Sequence, residues 1–182
     1  PQNSLPAIKK ATDEGFAVET DLRFHAGNVV LSHDPVDLSA AEPLGELLPG
    51  VTPFALNIKE DGLIPYLDIE ALKESNCFFF DGSLPELYRY KQRGFQTACR
   101  LSEFENELPW STDVIWLDAF VEEWWIKSSK LKKLTENALV VVVSPELHGR
   151  DKLRAWEEIS SEFNSGNPNV GICTDHPEEF EA

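Results

Sequence analysis

Glu19-Thr20-Asp21 sets two carboxylates two positions apart at the end of an apolar run. Alternate residues of an extended strand share a face, so both acids project to one side while Val18, Thr20 and Leu22 face the other. Two carboxylates held side by side repel each other and favour a hard divalent cation between them, Mg²⁺ or Ca²⁺. The histidines and cysteines are not spaced as a zinc set. The plainer alternative is a solvated strand edge, or an ion pair with Arg23. His33, in Ser32-His33-Asp34-Pro35, follows a short return strand that folds back over the first. It is expected to turn its ring toward the two acids, where an imidazole of ordinary pKa, about 6.5, is suited to proton transfer; the alternative is a hairpin residue capped by Asp34.

Polar groups recur at the ends of the other apolar runs. Residues 54–56 lead to Asn57 and Lys59, 77–80 to Asp81, 98–99 to Arg100, and 114–117 to Asp118. Residues 139–143 lead to Ser144 and Glu146, and 170–173 to Asp175. A cation following a buried strand either pairs with an acid or meets a substrate anion, which makes Lys59 and Arg100 substrate-binding candidates. For Arg100 the alternative is a structural pair with Glu103. The segment from Ser144 to Arg150 carries acid, imidazole and guanidinium at close spacing, adding His148 and Arg150 as candidates against the alternative of a helix-capping loop. Asp81 and Asp118 suit supporting roles, such as orienting Lys59 or Arg100. Trp124-Trp125 either wall a pocket or cover a rim as amphipathic anchors.

Buried strands must hold these groups in place. Apolar runs without clean alternation read as strands covered on both faces, and segments able to form helices lie between most of them, which is the pattern of a parallel sheet. Helices are expected over 5–13, 63–74, 84–92, 128–136 and 152–163, with a hairpin turn at Ala26-Gly27-Asn28. The fold class is therefore α/β, a (β/α)8 TIM-type barrel in which chemistry sits at the carboxyl ends of the strands. The chain supplies seven barrel strands where closure takes eight, so strand 1 is expected upstream of Pro1.

At 182 residues the chain is read as a single domain over 1–182. Its net charge of −16 argues against nucleic acid, whose phosphates need a basic footprint. No apolar run reaches the roughly 18 residues of a membrane span, and no signal-peptide pattern opens the chain. The three cysteines fall inside expected strands and read as reduced core thiols of a cytoplasmic protein.

Glu19-x-Asp21, the hairpin, and Val29 to Pro35 together resemble the glycerophosphodiester phosphodiesterases, within the phospholipase-C-like phosphodiesterase superfamily. Gln2-Asn3-Ser4 resembles that family's Pro-Glu-Asn-Ser/Thr element, Asn57-Ile58-Lys59 its Glu-Ile-Lys strand, and Gly171 to Pro177 its closing strand. The resemblance runs from the first residue to the last. It implies a distorted β/α barrel that hydrolyses a glycerophosphodiester or related small phosphodiester with a divalent metal. Glu19 and Asp21 match the metal carboxylates, Asn57 the position of a metal-binding glutamate, His33 the second catalytic histidine, and Lys59 a lysine near the phosphate. In that family a hydroxyl of the substrate attacks phosphorus, one histidine taking a proton and another protonating the leaving oxygen. The first histidine belongs to a His-Arg-Gly on the strand expected upstream. Gln2 and Asn57 stand where the family has glutamates, and each change removes a charge while keeping an oxygen. The alternative function is a barrel without catalysis that binds a phosphorylated ligand or serves in a larger assembly.

Overall fold

The structure is a computed structural model that describes residues 3–35, 37–46, 53–127 and 130–180. Packing divides it into two compact units, Pro1–Thr97 and Ala98–Ala182, with the division falling inside one strand.

The first unit opens with α1 (Leu5–Asp13), which buries Ile8 and ends at Gly15, where a φ of +86° turns the chain into a strand. β1 (Val18–His25) and β2 (Asn28–Leu31) form the expected antiparallel hairpin. Ala26 and Gly27 both take positive φ, 48° and 92°, the two-residue turn whose twist matches that of the flanking strands. β3 (Phe54–Ile58) lies parallel to β1 and sets Asn57 opposite Asp21. β4 (Cys77–Phe80) lies parallel to β3 with Phe80 opposite Asn57, and the start of β5 (Gln96–Leu101) pairs parallel with β4. The hydrogen-bonded order is thus β2-β1-β3-β4-β5. β1 and β3 are bonded side by side, which sets the acids of one beside the amide of the other.

Two helices cover this part of the chain, α2 (Ile69–Glu74) and α3 (Leu84–Gln92). The helix expected over 63–74 is split into a 3-10 turn at Ile64–Tyr66 and α2. Pro65 brings no N–H to the first piece. The Asp68 carboxylate, accepting from Ala71 N at 3.1 Å, starts the second as an N-cap. Phe79 is fully buried, with Tyr90 and Phe95 packed on it at ring distances of 4.4 and 5.2 Å.

The second unit continues β5 with β6 (Val114–Leu117), α4 (Trp124–Lys127), α5 (Lys130–Thr135), β7 (Leu139–Val143), α6 (Leu153–Asn164) and β8 (Val170–Cys173). Each successive strand pair is parallel. Of the helix expected over 128–136, Lys130–Thr135 is present, while residues 128 and 129 lie outside the described residues. Leu117, Val140, Val142, Trp125, Leu131 and Ile159 pack into one core. Trp125 is therefore core and not rim, because α4 turns it inward; it is 1 % exposed. Trp124 spends its indole N–H on the Asp118 carbonyl at 2.9 Å. Cys77 and Cys99 are buried, Cys173 is partly exposed, and none of the three forms a disulfide. Among the described residues no helix is long and apolar enough to cross a membrane.

Candidate functional site

Glu19, Asp21, Asn57 and Lys59 come together in the first unit because β1 and β3 are adjacent and in register. Asp21 is buried, and both of its oxygens are engaged: Lys59 Nζ lies 3.1 Å from Oδ1, and Asn3 Nδ2 donates to Oδ2 at 2.8 Å. The Asn57 amide donates to the Glu19 carboxylate. Its own Oδ1 is buried without a hydrogen-bond partner among the described residues. A buried carbonyl oxygen left unpaired costs free energy unless something absent from the protein alone completes it.

Burial first, and then the charge of Asp21, push Glu19 up to about 7; the Asn57 hydrogen bond and Lys59 pull it back, and Asp81 adds a further push. The cluster thus has more negative charge than its one ammonium balances. It has only oxygen donors, one of them orphaned. Carboxylate oxygens carry about four acceptor sites between them, so Asp21 keeps capacity beyond Lys59 and Asn3. These residues fit a hard divalent cation of the Mg²⁺ or Ca²⁺ type, and not a soft one.

Asn3, to which the sequence assigned no role at the site beyond its place in Gln2-Asn3-Ser4, orders the acids. Its Oδ1 accepts from Asp21 N at 2.9 Å and Thr20 Oγ1 at 2.7 Å while its Nδ2 holds the carboxylate. It takes a φ of +54°, which asparagine tolerates better than most residues. The signal was its place in the Pro-x-Asn-Ser element. Gln2, read alongside it, lies outside the described residues.

His33 departs from expectation. Ser32 N bonds the Asp21 carbonyl at 3.0 Å, which brings the loop beside the acids. The imidazole, however, points outward: its side chain is 66 % exposed and Nδ1 sits 2.9 Å from Asp34 Oδ1. The neighbouring carboxylate captures the ring, and the guanidinium of Arg23 holds the His33 carbonyl through Nε at 2.9 Å and NH2 at 2.7 Å. Arg23 pairs with Glu60 at 3.7 Å, so it is not the ion-pair partner of Glu19 or Asp21 considered from sequence.

The remaining candidates belong to the second unit. Buried Asp118, just past β6, accepts from its neighbour Ala119 N at 2.8 Å and from His148 Nε2 at 2.7 Å on the same oxygen. The His148 ring rests on Phe120 at 5.2 Å, and Arg100 lies over Phe120 at 5.4 Å. Arg100 Nε also lies 3.8 Å from Glu105. Glu103, the partner expected from sequence, is instead drawn to the backbone N–H groups of Phe120 and Val121 at 3.1 and 2.6 Å. Arg150 directs Nε and NH2 to Glu123 at 3.0 and 2.9 Å, NH1 to the Phe120 carbonyl at 2.9 Å, and NH2 also to the Ala119 carbonyl. Its fork is spent on holding that loop. Glu146 is likewise occupied, accepting from the Ser144 and Thr174 hydroxyls.

The parallel strands with polar carboxyl ends place the chain in the α/β class of β/α-barrel folds. One solved structure it resembles is the glycerophosphodiester phosphodiesterase from Agrobacterium tumefaciens str. C58, at 12 % identity over 94 % of this chain and 89 % of that one, with a TM-score of 0.59. At that identity the likeness shows the fold. No protein-family profile and no curated protein sequence matches the chain.

Proposed function

We propose that this chain is a divalent-cation-dependent phosphodiesterase acting on a glycerophosphodiester or a related small phosphodiester. One observation carries the reading: the Glu19, Asp21 and Asn57 cluster, with its buried orphan oxygen and its excess of negative charge, stands beside Lys59 where β1 and β3 pair in register. The likeness in fold supports it.

Glu19, Asp21 and the Asn57 oxygen would hold the cation, with Asn3 fixing the Asp21 carboxylate. A bound Mg²⁺ or Ca²⁺ supplies Lewis acidity toward a phosphoryl oxygen. Lys59, held by Asp21, is positioned to attract the phosphate oxygens once they approach. His33 transfers the proton as general acid or base, after its ring leaves Asp34 and turns toward the substrate. Arg100 and His148, which share the Phe120 ring in the second unit, suit contact with an anion there. Arg150 acts indirectly, by shaping the loop that carries Phe120. Three cysteines without a disulfide suit a reducing cytoplasmic compartment. The acidic charge disfavours nucleic acid as partner.

Turnover of glycerophosphocholine and bis(4-nitrophenyl) phosphate, with and without Mg²⁺ or Ca²⁺, tests this reading. Cation-dependent release of the alcohol is the expected result. The outward ring of His33 favours one other reading, a barrel that binds a phosphorylated ligand without cleaving it. Saturable binding with no turnover under any cation would select it.

A further inference from the structure

Asp81 stands at the site in a backbone conformation that most residues avoid. It follows Phe80, which lies opposite Asn57, so it leaves β4 one step beyond the orphaned amide on the neighbouring strand. Its φ is +63°, in the left-handed region that disfavours a side chain and is best tolerated by glycine, asparagine and aspartate. The next residue, Gly82, presses on β3 so closely that a Cβ there would come within 3.0 Å of Ile58 Cδ1. The loop is therefore held down on β3 with a half-buried carboxylate at its head. Held left-handed residues cluster at functional sites, where surrounding structure imposes them.

Asn57 is 6 % exposed, and its unpartnered oxygen offers a cation a ligand but no charge. The charge of Asp81 falls on Glu19, as do those of Asp21 and Lys59. Glu19, Asp21 and Asp81 do not bring three oxygens within 4.8 Å of one another; among the described residues only His176, Glu178 and Glu179 form such a trio, and Lys152 already pairs with its Glu179 at 2.8 Å. Asp81 is thus not one of three acids gathered round a single point, yet its charge reaches Glu19, and an ion-bound water is the link that such an arrangement allows. Mg²⁺ in particular keeps several waters and takes only one or two carboxylates directly.

We propose that Asp81 is the outer carboxylate of the cation site, accepting a hydrogen bond from an ion-bound water and supplying the negative charge that Asn57 lacks. This rests on the reading that Glu19, Asp21 and Asn57 hold the ion. Asparagine accepts the same φ and is nearly the same shape, so Asp81→Asn removes the charge and keeps the loop. Glycine relieves the conformation altogether.

Calorimetric titration of the full chain with Mg²⁺ and Mn²⁺ decides the matter, with Glu74→Gln on the exposed surface as a control for loss of one charge. Asp81→Asn is expected to weaken binding about 10- to 100-fold, the usual consequence of losing a group that supports a metal from behind its ligands. Its ion-free unfolding temperature should not fall below that of the parent, since a charge that repels Glu19 is removed. Asp81→Gly should lose affinity equally while the ion-free protein gains stability, a split that a merely structural role would not produce. Unchanged affinity in Asp81→Asn and Asp81→Gly, beside a parent that binds, overturns the role of Asp81 alone. An equal loss in Glu74→Gln does the same, since bulk charge would then account for it. A parent that binds neither ion removes the cation site and this role together.

Discussion

Glu19 is the group whose chemistry the structure changes most. Its carboxyl, with an ordinary pKa of 4.5, is raised to about 7 by burial and then by Asp21. In the ion-free protein the folded state therefore keeps its proton longer than the unfolded chain does as pH rises. The stability tied to Glu19 is fully present below about pH 4.5 and is lost as pH climbs through about 7. The ion-free unfolding temperature of the parent should fall across that window relative to Glu19→Gln, in which the slope disappears. A cation must displace the same proton, so affinity should rise with pH to about 7 and then level. Calorimetry in buffers of different ionisation heat reads the proton released. His33 has the opposite character: an exposed ring held only by Asp34 carries little of the fold. His33→Ala should lower phosphodiester turnover by roughly 10²–10⁴-fold and leave the unfolding temperature unchanged. A rate within about twofold of the parent would remove His33 from the mechanism.

The site depends on two local devices, one at each end of an element. Asn3, just ahead of α1, ties that helix to β1 through three hydrogen bonds to Thr20 and Asp21. Asn3→Ala leaves a buried carboxylate and hydroxyl short of partners, and should cost about 1–3 kcal/mol in urea denaturation. It should also weaken cation binding, because Asp21 loses the group that orients it. In the second unit, Arg150 ties the loop after β6 to the turn after β7 through Glu123 and two carbonyls. Lysine cannot reproduce a planar fork that bonds several acceptors at once. Arg150→Lys is expected to lower stability by about 1–2 kcal/mol and to raise KM more than it lowers kcat.

Across the whole molecule the net charge of −16 acts in two directions. It repels itself, which destabilises the compact state, and it concentrates cations near the surface. Both effects are screened over about 8–10 Å at physiological salt. Raising NaCl from low to physiological strength should therefore raise the ion-free unfolding temperature and weaken Mg²⁺ binding together. A Mg²⁺ affinity indifferent to NaCl would mean that the local acids, and not the field of the chain, set it.

The sequence determined the strands and most helix ends. Cys77–Phe80, Val114–Leu117, Leu139–Val143 and Val170–Cys173 form where apolar runs without alternation demand cover on both faces, and α1 and α3 span the segments their caps and breakers mark. The meeting of Glu19 and Asp21 with Asn57 and Lys59 was legible too, because strand order places polar ends together. Tertiary structure alone decided which partner each side chain takes. Asn3 reaches Asp21 across 18 residues, and Arg150 reaches Glu123 across 27. Trp125 turns inward onto the core of the second unit. Local propensity acts within a turn or a strand, whereas these choices depend on which loop backbone presents a free N–H or carbonyl at hydrogen-bonding distance. That is settled only when distant segments pack.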